Sequence, residues 1–183
     1  MSKIAVLLFS LGGPDQPAAV EPFLRNLFSD PRILRVPGFV RAFLARFIAR
    51  KRAPVAQDIY RQMGGGSPIV PNTVAQARAL EGALADLGSV QCFIAMRYWH
   101  PRAAAVVKEV AAFAPDEIIL LPLYPQFSTT TTESSLAEFW AEVQAEDGAL
   151  HAAWNEQVKI RSLCCYPTDP GFITALAAAT RRA

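Results

Sequence analysis

Four short stretches hold the residues best suited to chemistry: SLGGP at Ser10–Pro14, YRQMGGGSP at Tyr60–Pro68, MRYWHP at Met96–Pro101 and YPQFST at Tyr124–Thr129. They share flat aromatic surface (Tyr60, Tyr98, Trp99, Tyr124, Phe127), hydroxyls, and fixed positive charge at Arg97, with Lys51 and Arg52 just ahead of Tyr60. A large planar apolar ligand carrying carboxylates needs this combination: walls to bury its faces and cations for its acid edges. Other chemistries fit less well. Gly12–Gly13–Pro14 lacks the GxGxxG spacing that sets a pyrophosphate on a helix N-terminus, and no P-loop lysine follows it, which argues against a nucleotide. His100 and His151 stand apart from any cysteine at ligand spacing, so no zinc or iron cage is legible. Neither Ser128 nor Ser134 sits in a GxSxG elbow. The residues assign no catalytic group and no metal ligand.

Elements able to position these loops follow from the apolar pattern. Lys3–Phe9, Val90–Ala95, Glu117–Leu123 and Val158–Leu163 are Ile/Val/Leu-rich runs too short for helices and without strict alternation, as for parallel strands covered on both faces. Helical patterns lie between them: Asn72–Leu87, Pro101–Phe113, and Glu133–Glu146 with Leu136, Phe139, Trp140 and Val143 on one face. A further helix starts in Asp169–Ala183 and is still running at the last residue. The alternation predicts a doubly wound, Rossmann-like α/β fold with a mostly parallel four-stranded sheet and helices on both faces. In such a sheet ligands sit beyond the carboxyl ends of the strands, where three of the four stretches fall. In the third, Ser134 or Ser135 is expected to cap the following helix, and the hydroxyls of Thr129–Thr132 to tie the turn to its own backbone and so hold Tyr124.

About eighty residues separate the first two strands, far more than one crossover needs, so 16–70 reads as a helical insertion. Its Pro37–Arg52 part spaces Phe39, Val40, Phe43, Leu44, Phe47 and Ile48 as a helix, with arginines on the flanks. The ordinary reading is a core-facing helix with a solvated basic face; the other is an apolar lip that rests on a membrane surface or admits a flat ligand. The 183 residues suit one α/β domain, 1–183, and the formal charge of +2 gives no ground for a nucleic-acid partner. The N-terminal run ends at Gly12–Gly13–Pro14 without a small-residue cleavage site, and reads as the first strand of a cytoplasmic protein. Cys92, Cys164 and Cys165 form no disulfide framework and are expected to be buried free thiols.

Taken in order, LxxLGGP, YxxxGGGSPI, MRYWHP and LPLYPQFSTTTTxSS resemble the ferrochelatase family, which inserts ferrous iron into a porphyrin in the last steps of haem synthesis. The likeness runs from about Ile4 to Ser135 and more weakly through Val158–Phe172. It implies two similar Rossmann-like halves closing on a porphyrin cleft, of which this chain is the N-terminal half with the lip insertion and the C-terminal half is missing. It further implies that Leu11 approaches the macrocycle, Arg52 with Lys51 meets propionates near the lip, and Ser67 hydrogen-bonds in the same region. Arg97 and Tyr98 would line the pocket floor and Tyr124 would pack beside the ring, with Tyr60 and Phe127 in a second rank. Arg97 follows a buried strand directly, where an unpaired guanidinium is costly. His100 reads as a helix-start residue with a structural hydrogen bond, or as a proton carrier. The family's metal-handling histidine and its partner glutamate belong to the second half, so this chain alone is expected to be inactive. Animal members place an iron–sulfur ligand where Thr129 stands, so no cluster is expected. The porphyrin is protoporphyrin IX or coproporphyrin, and the Phe39–Arg52 lip leans toward a peripheral membrane supply. The alternatives are a non-catalytic tetrapyrrole-binding module and a cobalt- or nickel-inserting relative.

Overall fold

Seven consecutive residues of the first strand, Ile4–Ser10, are buried, so side chains on both of its faces must meet a cover. In the computed structural model, which describes residues 2–146 and 148–182, that strand (β1, Lys3–Ser10) is flanked by two parallel partners. Ser89–Met96 (β2) pairs along its whole length, Glu117–Pro122 (β3) pairs on the other side, and Lys159–Ser162 (β4) is the edge beyond β3. The order β2-β1-β3-β4 confirms a parallel four-stranded α/β sheet of Rossmann-like character. Side chains at 148, 149, 151 and 155 lie outside the description, and His151 with them, as does Ala183.

Alternation along β1 splits the core in two. Ala5, Leu7 and Phe9 face Val106, Val107 and Val110 of helix α4 (Ala103–Phe113) and Phe139 and Val143 of α5 (Thr132–Glu146). Trp154 of α6 (Gly148–Gln157) closes that layer, stacked 6.1 Å from Phe139. The pattern around Gly148 carries no such helix in the sequence reading, because one tryptophan does most of its anchoring. Ile4, Val6 and Leu8 face Ala77 and Leu80 of α3 (Ile69–Ala83) on the other side. Helices α3, α4 and α5 begin at Ile69, Ala103 and Thr132, displaced by up to three residues from the expected starts. Pro101 therefore precedes α4 and does not open it.

The insertion between β1 and β2 carries α1 (Val20–Phe28), α2 (Gly38–Gln62) and α3. Helix α2 does not point its phenylalanines at the core. Phe39, Phe43 and Phe47 are 80%, 71% and 56% exposed, and the buried stripe is Ala45, Ala49 and Ala53. Alanines at four-residue spacing let α1 approach closely, which leaves the bulky side chains on the outer face. The expectation for the thiols is overturned too: Cys164 and Cys165 are exposed and Cys92 is half-buried. Cys164 and Cys165 follow β4, a short edge strand with no fully buried residue.

Candidate functional site

In the order β2-β1-β3-β4 the chain leaves β1 for β2 on one side and then crosses to β3 on the other, which makes the carboxyl end of β1 the switch point where open parallel sheets hold ligands. Register sets the heights: Ser10 lies opposite Met96, and Phe9 opposite Pro122. Beyond the strands the ladder continues into the loops. The Arg97 N–H donates to the Ser10 carbonyl at 2.8 Å, the Tyr98 N–H to the Leu11 carbonyl at 3.0 Å, and the Leu123 N–H to the Phe9 carbonyl at 2.8 Å. Leu11, half-buried, is thereby fixed beside the Arg97–Tyr98 turn.

Glycines bring the insertion onto this edge. Gly12 sits at φ +80°, and a Cβ there would come within 3.0 Å of the Trp99 Cβ. A Cβ on Gly13 would reach 2.4 Å from the Ser67 Oγ, and one on Gly66 would reach 2.4 Å from the Asp15 carbonyl oxygen. The Ser67 N–H donates to the Pro14 carbonyl at 2.7 Å. The SLGGP and GGGSP loops therefore pack closely, Gly13 against the Ser67 side chain and Gly66 against the Asp15 backbone, and a Cβ on either glycine would clash. Ser67 is half-buried, with its hydroxyl oxygen accepting from the Ile69 N–H at 3.4 Å.

Behind these loops stands a polar cluster centred on Asp30, a residue the sequence reading did not single out. Its Oδ2 accepts from Arg97 Nη2 at 2.6 Å, Tyr98 Oη at 2.8 Å and Ser134 Oγ at 2.6 Å, and its Oδ1 accepts from the Arg32 N–H at 2.7 Å. Burial pushes the carboxyl pKa upward, but the Ser134 hydroxyl, the Arg32 N–H, the Tyr98 hydroxyl and the Arg97 guanidinium outweigh it and hold it below the ordinary value. Arg97 Nε also donates to Ser134 Oγ at 2.8 Å, and Arg97 Nη1 lies 3.2 Å from Glu138 Oε1, the oxygen that Arg102 also contacts. The guanidinium rests over the Tyr98 ring, 4.7 Å from its centre. Tyr98 has no exposed surface, and its phenol is driven well above the ordinary range, chiefly by burial. Ser134 is thus a buried partner within the first turn of α5, not a cap.

The third loop is held by serines more than by threonines. The Tyr124 hydroxyl is 3.3 Å from Ser135 Oγ, and burial pushes the phenol up to about 12. Ser128 is the residue that ties the turn: its Oγ accepts from the Thr130 N–H at 3.2 Å, and its carbonyl accepts from the Thr131 and Glu133 N–H groups. Among the described residues, Thr130 is the one threonine of the run whose hydroxyl makes a contact there, with Ser128 at 3.0 Å, while the buried Thr132 hydroxyl and the Trp99 indole N–H have no partner. The Tyr166 N–H donates to the Pro125 carbonyl at 2.9 Å, which ties the β4 loop to the same edge.

The two cationic groups occupy separate hollows. Lys51 and Arg52 are exposed on α2 and line an apolar groove of about 450 Å³ with Leu24, Val55, Ala56 and Ile59. Arg97 borders a polar hollow of about 190 Å³ with Asn26, Ser29, Asp30, Pro31 and Arg102. Tyr60 is half-buried, Phe127 is exposed at the loop tip, and the exposed His100 packs edge-on against Trp99 at 5.1 Å. Among the described residues no group of three or more His, Cys, Asp or Glu could hold a metal ion.

The Ferrochelatase family model matches residues 3–183. The chain belongs to the ferrochelatase family. It is 51% identical over 183 residues to the ferrochelatase of Phenylobacterium zucineum, covering 98% of this chain and 50% of that protein. It is 50% identical over 176 residues to that of Pelagibacter ubique, covering 94% of the chain and 49% of the relative. The Caulobacter vibrioides ferrochelatase is 51% identical over 176 residues, 48% of its own length. The chain spans about half the length of these ferrochelatases. Its four motif loops are the ones that converge on the carboxyl end of β1.

Proposed function

We propose that this chain forms one wall of a porphyrin-binding cleft and takes part in inserting ferrous iron, the substrate metal, to give haem. The observation that carries the reading is the convergence of the SLGGP, GGGSP, RYWHP and LYPQF loops on the carboxyl end of β1. Leu11 and Tyr124 offer apolar and aromatic surface to a ring face, while Lys51 and Arg52 offer cations to its carboxylates. Metallation also needs a base for two pyrrole protons. We assign that base to the part of the ferrochelatase length that this chain does not cover, so the 183 residues alone are expected to bind porphyrin weakly and to insert no iron. The exposed Phe39, Phe43 and Phe47 beside Arg46, Arg50 and Lys51 suit peripheral contact with an anionic membrane. No helix among the described residues is long and apolar enough to cross one.

The test is porphyrin binding followed by the Soret band in wild type, Tyr124→Ala and the Lys51→Ala/Arg52→Ala pair, with iron insertion assayed alongside. Saturable binding that weakens roughly tenfold in both variants supports the reading, since each loses a ring contact or an ion contact. Binding indifferent to all three changes, or iron insertion by the chain, contradicts it.

A further inference from the structure

Asp30 and Glu138 have no part in the reading above, yet together with Ser134 they contact all three side-chain nitrogens of Arg97. Nη2 meets Asp30, Nη1 meets Glu138, and Nε meets Ser134. Arg102 shares the same Glu138 oxygen, so two carboxylates face two guanidiniums and their formal charges cancel. The side chain of Asp30 is fully buried and that of Arg97 is 13% exposed. An anion approaching Arg97 meets two carboxylates already in contact with it, and displacing Asp30 would leave a buried charge unpaired. The same Asp30 oxygen also joins three distant segments: the turn after α1, the end of β2 and the first turn of α5.

We propose that Asp30 is a positioning residue that neutralises Arg97, so that a bound porphyrin's carboxylates are read at Lys51 and Arg52 and not at the strand ends. The proposal rests on the porphyrin reading. It separates two roles that a sequence motif cannot separate, since both arginines are cations beside aromatic residues. Arg97 holds the strand-end loop and the Tyr98 ring in place, and Arg52 recognises charge.

The experiment compares a dicarboxylic porphyrin with its dimethyl ester, which keeps the ring and removes the charge, on the wild-type chain and its variants. The ratio of the two affinities is the readout, because a general loosening of the fold weakens both ligands alike. In Asp30→Asn the preference for the acid rises roughly threefold to tenfold, as Arg97 loses a neutralising charge. Arg97→Gln leaves the ratio within about twofold of wild type, while the Lys51→Ala/Arg52→Ala pair abolishes it. A ratio that collapses in Arg97→Gln, or stays fixed in Asp30→Asn, overturns the proposal; should Asp30→Asn not fold, the Arg97→Gln ratio decides. Arginine side-chain NMR supplies a readout without porphyrin. The Arg97 Nη2 protons, held by Asp30, should exchange slowly in the wild type and lose that protection in Asp30→Asn, and their persistence is equally fatal. If neither porphyrin binds the wild type, the porphyrin reading fails, and the NMR result still decides whether Asp30 holds Arg97.

Discussion

Arg97 and Arg52 are the same side chain set in opposite surroundings. Arg97 ends a buried strand and is enclosed by Asp30, Glu138, Ser134 and the Tyr98 ring. Arg52 stands exposed on α2, in a groove walled by Leu24, Val55 and Ile59, beyond a helix stretch that turns three phenylalanines outward. The Arg97–Asp30 cluster at the strand ends has its charges paired before any ligand arrives. The α2 region leaves apolar surface and charge uncovered together, the state of a surface that waits for a partner. One region therefore carries rigidity and the other recognition, and substitutions in the two should fail in different ways.

The largest expected effect is Arg97→Ala. It strands the buried Asp30 carboxylate and should cost ~3–5 kcal/mol of stability by urea unfolding, whereas Arg52→Ala should leave the unfolding midpoint unmoved and weaken only porphyrin binding. Equal losses of stability from both would dissolve the contrast. Next is Gly66→Ala, where the new Cβ would fall on the Asp15 carbonyl. A cost of about 1–3 kcal/mol is expected, with weaker porphyrin binding as the insertion lifts from the SLGGP loop; an unchanged midpoint would show that this contact can relax freely.

Acid pH sharpens the contrast on one side only. The folded pKa of Asp30 lies below its ordinary value of 3.8, so its stabilising contribution is fully present above that value and is lost as pH falls through the folded one. Stability should therefore hold from neutrality down to about pH 4 and decline below, and Asp30→Asn should flatten part of that decline. An identical acid slope in the variant would remove Asp30 from the account. The smallest effect on stability is expected for Phe39→Ser/Phe43→Ser/Phe47→Ser, which replaces three exposed side chains. Its unfolding midpoint should stay near wild type, while sedimentation with anionic vesicles should be lost. Retained sedimentation would move any membrane contact away from α2.

The sheet was legible in the sequence because parallel strands covered on both faces read as short unbroken apolar runs, as in Lys3–Phe9 and Glu117–Leu123. The direction of α2 was not, because a helical apolar stripe has the same period whether it faces the core or solvent. Only the alanines at 45, 49 and 53, which read as filler in a sequence, reveal which side α1 takes. Three of the four loops of the candidate site could be found from strand ends alone. Asp30 could not: its partners Arg97 and Ser134 lie 67 and 104 residues away, and nothing local in Ser29–Asp30–Pro31 marks a buried acid. The one clue was that a guanidinium placed straight after a buried strand needs a counter-charge. The exposed Cys164 and Cys165 escaped for a related reason, since β4 reads as a strand without showing that it lies at an open edge.

The most direct test is to add porphyrin to the isotope-labelled chain and map the ring-current shifts it causes by NMR. A macrocycle over the carboxyl end of β1 should shift Leu11–Gly13, Tyr124 and the Lys51–Arg52 segment together, while the amides of Asp30 and Ser134 behind it move little. Shifts confined to the opposite end of the sheet, around Gly88 and Asp116, would contradict the account.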